Sequence, residues 1–246
     1  MSMVLREELS EGIVAITLNR PESLNALSPA LFSELNQIVT ELSKQTDSVG
    51  CVILRGAGRC FSAGNDLKAV RSGVKAKEKF FQAKTIDLIE KLPQPTIASV
   101  HGHCLTGALE LALACDLMIT SESANLADTH GKWGMVPGWG MSVRLPRRVG
   151  LLKAKEMMFT GMSINGLQAV EIGLSSQCVA DDRLKVSTLY LAESIVKNSW
   201  HTNFADKKLF LDNENHFHDA SLKMEREQSA SVASDMHERV KQGFKS

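Results

Sequence analysis

Short apolar runs alternate along the chain with longer segments whose apolar residues recur at helical spacing. Residues 13–18 (IVAITL) are apolar at almost every position, which is typical of a strand buried on both faces. The strands predicted in this way cover residues 4–8, 13–18, 51–54, 96–100 and 117–120, and the helices cover residues 29–42, 75–91 and 108–115. Strands that alternate with helices indicate an α/β fold with a mostly parallel sheet and crossover helices.

The last part of the chain follows a different pattern. No convincing strand follows Asp181, whereas residues 184–197 and 220–230 have helical spacing. We therefore expect a core at residues 1–200 and a helical region at residues 201–246 that packs against the core or a neighbouring subunit.

Composition and charge exclude several classes of protein. The 246 residues contain 28 basic and 28 acidic side chains, so the sequence predicts neither a nucleic-acid surface nor an acidic tail. Charged residues at positions 6–8 interrupt the region where a signal peptide would be apolar, and no apolar run reaches the length of a membrane span. The odd number of cysteines and the lack of a C-x-x-C pair favour reduced thiols. These features predict a cytoplasmic protein without membrane partners.

Glycine-bearing turns follow two of the predicted strands. The first comprises residues 61–66 (FSAGND), and the second comprises residues 105–108 (LTGA). In a parallel sheet both turns emerge at the same edge. Small residues at Ala63, Gly64 and Gly107 leave backbone N–H groups uncovered, and Gly107 stands at a helix N-terminus, which favours negative charge. We hypothesise that two such N–H groups converge on one carbonyl oxygen.

Gly56 and Gly58 form another glycine pair, which we compared with a dinucleotide-binding motif. It lies after a strand, as in a dinucleotide-binding fingerprint, but Phe61 occupies the third glycine position and no helix begins there. We interpret these glycines as turn formers, so no nicotinamide cofactor is expected.

Glu110 is the single charged residue in the apolar segment 104–115. Because a helix that is apolar all round is buried, this carboxyl group is expected near the interior, where burial raises a carboxyl pKa. One interpretation is a general acid or base that faces a cleft. The other is a first-turn glutamate stabilised by the helix dipole or by an unidentified basic partner.

His130 lies beside Asp128 in a glycine-flanked segment that reads as a strand end and loop. It could act as a general base, although isolated histidines in loops are more often solvated or structural. His101 and His103 have no third ligand at metal spacing, so no metal site is expected.

Two longer motifs resemble those of a known family. Residues 58–67 (GRCFSAGNDL) resemble the crotonase-family motif G-x-x-F-x-A-G-x-D-[LI]. Residues 95–116 (PTIASVHGHCLTGALELALACD) resemble its second signature, and the similarity continues through residues 134–138 (GMVPG) and 144–146 (RLP). The resemblance to the crotonase superfamily, and to its enoyl-CoA hydratase/isomerase family, extends over about residues 5 to 200.

The resemblance implies a spiral of repeated ββα units with a C-terminal helical region for oligomerisation and closing of the site. It also implies a homotrimer or a hexamer built from two trimers, an acyl-CoA thioester as substrate, and no cofactor. It places the two oxyanion-hole N–H groups at Ala63 and Gly107 and a water-handling carboxylate at Glu110. The residues that it assigns to substrate and CoA binding are Asn25, Ala26, Leu27, Ala63, Gly64, Asn65, Asp66, Leu67, Gly107 and Trp139.

The sequence departs from the family at the second catalytic acid. Counting back from Pro137, the position of the second hydratase glutamate is filled by His130. Trp139, where many relatives have a small residue, and Ala108, where glycine is common, imply a reshaped acyl pocket.

The leading hypothesis is therefore an enoyl-CoA hydratase that adds water across the 2,3 double bond, with His130 in place of the missing acid. A second hypothesis is another reaction through an enolate, namely isomerisation, decarboxylation or carbon–carbon hydrolysis. A third is an acyl-CoA-binding protein that has lost turnover.

Overall fold

The computed structural model describes residues 2–73, 77–213, 226, 234 and 235. The strands are β1 (Val4–Ser10), β2 (Gly12–Leu18), β3 (Val49–Gly56), β4 (Thr96–Val100), β5 (His103–Leu105), β6 (Leu117–Ser121), β7 (Asn125–Ala127), β8 (Ser163–Ile164) and β9 (Gln177–Val179). The helices are α1 (Pro29–Leu42), α2 (Leu67–Arg71), α3 (Phe81–Glu90), α4 (Gly107–Leu113), α5 (Met141–Val149), α6 (Leu151–Thr160), α7 (Gly166–Glu171), α8 (Leu184–Val196) and α9 (Trp200–Asn213).

The main sheet has the strand order β1-β2-β3-β4-β6-β9. β1 is antiparallel to β2, and the other neighbours are parallel, so the predicted α/β fold with a mostly parallel sheet is confirmed. A second, smaller sheet contains β5, β7 and β8. Its first strand, β5, lies between β4 and α4, within the second strand-turn-helix segment that the sequence associates with the site.

Alternating residues of the central strands pack against different layers, as the two-residue period of a strand requires. Val14 and Ile16 of β2 belong to the larger core, which also includes the buried leucine, valine and phenylalanine side chains of α1 and the buried leucine and alanine side chains of α4. Ile13 and Ala15 face the other way, into a smaller core that contains Leu184 of α8. Both faces are covered, which explains why β2 is apolar at almost every position.

Local signals fix the first helix as predicted. The Ser28 hydroxyl accepts a hydrogen bond from the Leu31 N–H, and Pro29 occupies the first helical position. The helix ends at Leu42 and buries one apolar stripe against the sheet.

Two predicted segments differ from the structure. The helix expected from residue 75 begins at Phe81, because Phe80 has a left-handed φ of 62° that a continuing helix cannot contain. Residues 74–76 lie outside the described residues. The segment between β4 and α4, expected to be irregular, contains β5, which is stabilised by pairing with β7 rather than by a periodic pattern.

Helix α9 packs on the core through a buried lysine. Lys207 is 6% exposed, and its Nζ donates to Asp116 Oδ2 at 2.7 Å and to the Gln94 carbonyl at 3.0 Å. The further helix predicted at residues 220–230 falls almost wholly outside the described residues. Within the part of the chain that the structure describes, no helix combines the length and apolarity needed to cross a membrane.

Candidate active site

The two predicted glycine turns lie side by side and border a cavity of about 570 Å³. Ser62 of the first turn pairs with Cys104 of β5 in a parallel bridge, which brings the turns together. The cavity-lining residues that the sequence predicted are Ala63, Asn65, Leu67, Gly107, Glu110, His130 and Trp139. The predicted convergence of turns, carboxylate and histidine is thus present in one cavity.

Close backbone approach explains the glycines in both turns. A Cβ atom at Gly64 would lie 2.5 Å from the Leu105 carbonyl oxygen, and Gly64 has φ of +95°. A Cβ atom at Gly107 would lie 2.5 Å from Cζ3 of the Trp139 indole and 3.5 Å from the Asn65 nitrogen. The Asn65 and Gly107 backbones are therefore near neighbours beneath the indole.

The backbone donors of the first turn differ from the expectation at Ala63. The Ala63 N–H donates to the Leu24 carbonyl at 2.9 Å, and the Gly64 N–H donates to the Ser62 hydroxyl at 3.1 Å. An amide that is already paired is not free to bind a substrate oxygen, which corrects the assignment of an oxyanion donor to Ala63. Among the described residues, the Asn65 and Gly107 N–H groups have no hydrogen-bond acceptor.

Several residues expected along the CoA path also shape the first turn. The fully buried Asn25 donates through Nδ2 to the carbonyls of Ala57, Cys60 and Phe61, at distances between 2.8 and 3.1 Å. Asp66 caps α2 and accepts a 2.9 Å hydrogen bond from Arg20.

Neither Asn25 nor Asp66 lines the cavity, and Ala26, Leu27 and Gly64 do not line it either. Leu27 is fully buried, and its N–H donates to the Gly64 carbonyl at 2.8 Å. Asn25, Leu27 and Asp66 thus fix the first turn beside the cavity, and the assignment of these residues to CoA binding stays a prediction.

Glu110 lies in the first turn of α4 and is 1% exposed. Its Oε1 accepts hydrogen bonds from the N–H groups of Trp139 at 2.8 Å and Met141 at 3.1 Å. Burial raises the pKa of Glu110, and this effect outweighs the opposing effects of the two N–H donors and of nearby His130. The carboxyl group therefore retains a proton to higher pH than an ordinary glutamate.

His130 begins a short 3₁₀ helix, His130–Trp133, and is held by Asp128. The distance from Asp128 Oδ1 to His130 Nδ1 is 2.6 Å, and the same oxygen accepts the His130 backbone N–H at 3.1 Å. We assign the proton to Nδ1, because an ionised carboxylate only accepts hydrogen bonds. Nε2 then carries the lone pair of the ring, and this nitrogen lies 3.7 Å from Glu110 Oε2.

Asp128 is 1% exposed and was not among the predicted site residues. One feature of the sequence could have indicated it: Asp128 stands two residues before His130 in a loop. At this spacing, one carboxylate can contact both the ring and the backbone of the histidine.

Trp139 forms a wall of the cavity. Its ring packs edge-on against Phe32, with centroids 5.1 Å apart and planes at 74°. Its carbonyl accepts a 2.8 Å hydrogen bond from Arg144, whose guanidinium also binds Glu90 through two contacts of 2.8 and 2.6 Å. Because the Trp139 N–H donates to Glu110, both peptide groups flanking this residue are fixed.

A family model described as enoyl-CoA hydratase/isomerase matches residues 8–246. The chain belongs to the enoyl-CoA hydratase/isomerase family. The crystal structure of an enoyl-CoA hydratase from Bacillus anthracis is similar with a TM-score of 0.89 and 34% identity, covering 95% of this chain and 93% of that one. The short-chain-enoyl-CoA hydratase of Clostridium acetobutylicum is 34% identical over 194 residues, which cover 77% of this chain and 74% of the relative.

A relative in Arabidopsis thaliana, named "Probable enoyl-CoA hydratase 1, peroxisomal", is 36% identical over 77% of this chain and 71% of its own length. These similarities confirm the predicted crotonase fold and assign the chain to a family of enzymes. Within this enoyl-CoA hydratase/isomerase family member, the cavity between the two turns is the candidate active site.

Proposed function

We propose that this protein hydrates a 2-enoyl-CoA thioester, with the thioester carbonyl bound by the N–H groups of Asn65 and Gly107. The observation that supports this function best is the placement of Glu110 and His130, which face each other in the same cavity as these N–H groups. Their separation of 3.7 Å is too long for a direct hydrogen bond. A water molecule in the cavity beside this pair can accept a hydrogen bond from Glu110 and donate one to Nε2 at ordinary distances from both.

The reaction requires a base for water and an acid for the α-carbon. The Nε2 lone pair of His130 takes a proton from water, whose oxygen then bonds to the β-carbon. The electron pair of the double bond moves to the thioester as an enolate, and the Asn65 and Gly107 N–H groups stabilise the negative oxygen. The protonated Glu110 carboxyl group donates its proton to the α-carbon, and the imidazolium then returns a proton to Glu110.

This division of roles reverses the one expected from the resemblance, in which Glu110 handles water. Two observations favour the reversal: burial raises the pKa of Glu110, and Asp128 fixes the histidine tautomer that leaves Nε2 as an acceptor. The mechanism requires no metal or redox cofactor, because coenzyme A enters with the substrate.

The test is product analysis with 2-enoyl-CoA substrates in water labelled with heavy oxygen. The proposal predicts a product that gains one water and contains the label on the β-carbon. Loss of carbon dioxide, an isomer of unchanged mass, or binding without turnover would contradict hydration and would correspond to the alternative functions.

Glu110→Gln preserves the acceptor for the Trp139 and Met141 N–H groups but has no acidic proton, so kcat should fall about 10²- to 10⁴-fold.

We also propose, from the family resemblance, that the protein is a cytoplasmic homotrimer or hexamer. Its partner would be the acyl-CoA substrate, without nucleic-acid or membrane partners. Light scattering of the purified protein tests the assembly directly.

A further inference from the structure

Thr106, the residue that precedes the Gly107 N–H, has a backbone conformation that is unusual for its type. Its φ is 54° and its ψ is −110°, outside the regions that residues with a Cβ normally occupy. Threonine is β-branched, so this conformation is more strained for it than for most other residues. Glycine would adopt it without that strain. A physical reason is therefore needed for a threonine at this position.

The contacts of Thr106 supply that reason. Its N–H donates to the Ala127 carbonyl at 2.8 Å. Its hydroxyl is 2.5 Å from the Thr129 hydroxyl and accepts the Thr129 N–H at 3.1 Å. Thr106 is 9% exposed and, with Thr129, lines the candidate active site. The Thr106 hydroxyl thus binds both the hydroxyl and the backbone N–H of Thr129.

The bridge joins the two halves of the candidate site. On one side, Thr106 is followed directly by Gly107, whose N–H is the proposed oxyanion donor. On the other side, Thr129 lies between Asp128 and His130, which are themselves joined by the 2.6 Å contact. A shift of Thr129 relative to Thr106 would therefore change the distance between the oxyanion donor and the histidine nitrogen.

We propose that the Thr106 hydroxyl is a positioning group that holds the Asp128–His130 loop in register with the Gly107 N–H. This inference rests on the proposed function. The backbone strain is tolerated because the hydroxyl stabilises the junction between the second glycine turn and the Asp128–His130 loop. Serine retains the required hydroxyl, glycine relieves the strain but loses the hydroxyl, and valine retains the branched shape without the hydroxyl.

The experiment compares Thr106→Ser, Thr106→Gly and Thr106→Val by steady-state hydration and by thermal unfolding. Thr106→Ser should retain kcat within about threefold of the unmodified protein, because the bridge is preserved. Thr106→Gly should have an unchanged or higher melting temperature, yet its kcat should fall on the order of 10- to 100-fold, as displacement of a catalytic group does. KM should change less than kcat, because the bridge is not itself expected to hold the CoA moiety.

Thr129→Val provides a second variant in case Thr106→Val does not fold. It removes one hydroxyl of the bridge but leaves the Thr129 N–H bonded to Thr106. It should lower kcat, and the double variant with Thr106→Gly should lose little more than Thr106→Gly alone.

The outcomes separate the inference from the function on which it rests. If Thr106→Gly turns over as fast as Thr106→Ser, the positioning role is wrong while hydration stands. If Thr106→Gly loses kcat and stability together, the residue is only structural, which also overturns the inference. If the unmodified protein does not hydrate any 2-enoyl-CoA, the proposed function itself fails.

Discussion

The carboxyl Oε2 of Glu110 lies 3.7 Å from Nε2 of His130, although one residue belongs to helix α4 and the other to the loop after β7. Each group is fixed on its far side. Two backbone N–H groups bind Oε1 of Glu110, and Asp128 binds Nδ1 of His130. The facing atoms, Oε2 and Nε2, remain directed at each other within the cavity. This geometry makes a carboxyl–imidazole pair where the family's hydratases use two glutamates.

Asp128→Asn should impair catalysis while preserving the shape of the site. Asparagine carries no charge, so in either orientation of its amide it no longer stabilises the imidazolium that forms when His130 takes a proton from water. We expect kcat to fall about 10²- to 10⁴-fold, as for other losses of general base catalysis. Nitrogen NMR of the imidazole, together with kcat, checks both the tautomer and the rate.

The exposed Asp182 supplies the matched control for this change. Asp182→Asn should have the kcat of the unmodified protein. If Asp128→Asn had the same kcat as Asp182→Asn, the proposed role of His130 would be untenable.

Glu110→Gln should change how stability depends on pH. Burial raises the pKa of Glu110 above its ordinary value of about 4.3. The unfolded chain has the ordinary pKa and the folded protein has the raised one. At a pH between the two, the folded protein keeps a proton that the unfolded chain has lost, so the free energy of unfolding falls as pH rises. Glutamine does not titrate. As pH rises, the free energy of unfolding of Glu110→Gln should therefore increase relative to that of the unmodified protein, by about 1.4 kcal/mol for each unit by which the pKa is raised.

Urea unfolding between pH 4 and pH 8 measures this difference. Repeating the comparison in a His130→Gln background removes the contribution of the neighbouring imidazole. A difference in unfolding free energy that stayed constant from pH 4 to pH 8 in both backgrounds would show that the pKa of Glu110 is not raised.

The sequence predicted five of the six strands of the main sheet, all but the short β9, because buried strands are apolar at nearly every position, as residues 13–18 illustrate. It did not predict β8, Ser163–Ile164, because two residues have no recognisable period and depend on pairing with β7. The sequence also indicates a common site for Gly107, Glu110 and His130, and these three residues line one cavity. The sequence did not indicate the proposed donor at Asn65, because neighbouring N–H groups in a turn point in different directions and residue type does not reveal which one faces the cavity.

Trp139→Ala should extend the range of acyl chains that the enzyme accepts. The indole packs over Gly107 and against Phe32, so its removal enlarges the cavity next to the reacting groups. The backbone N–H and carbonyl contacts of Trp139 do not depend on its side chain. Since each buried methylene contributes about 0.8 kcal/mol, kcat/KM for an eight-carbon relative to a four-carbon substrate should rise at least about tenfold.

The control is Trp133→Ala. Trp133 also lines the cavity but is 58% exposed, so its loss should alter the chain-length ratio much less. Equal ratios in the two variants would mean that Trp139 does not limit the acyl pocket.

Lys207→Met should destabilise the fold far more than the same change at the adjacent Lys208. Lys207 is buried and joins α9 to Asp116, whose Oδ2 also accepts the Thr96 N–H at 2.7 Å. Methionine would fill the space of the stem but leave Asp116 without its cation. Because the Asp116 side chain is 31% exposed, we expect the free energy of unfolding to fall by about 1 to 3 kcal/mol, below the range for a fully buried pair.

Lys208 pairs with Asp212 on the surface and is 65% exposed, so Lys208→Met should lower the free energy of unfolding by about 0 to 1 kcal/mol. Urea unfolding of the two variants measures the contrast, and equal free energies of unfolding would mean that the buried ion pair does not hold α9 on the core.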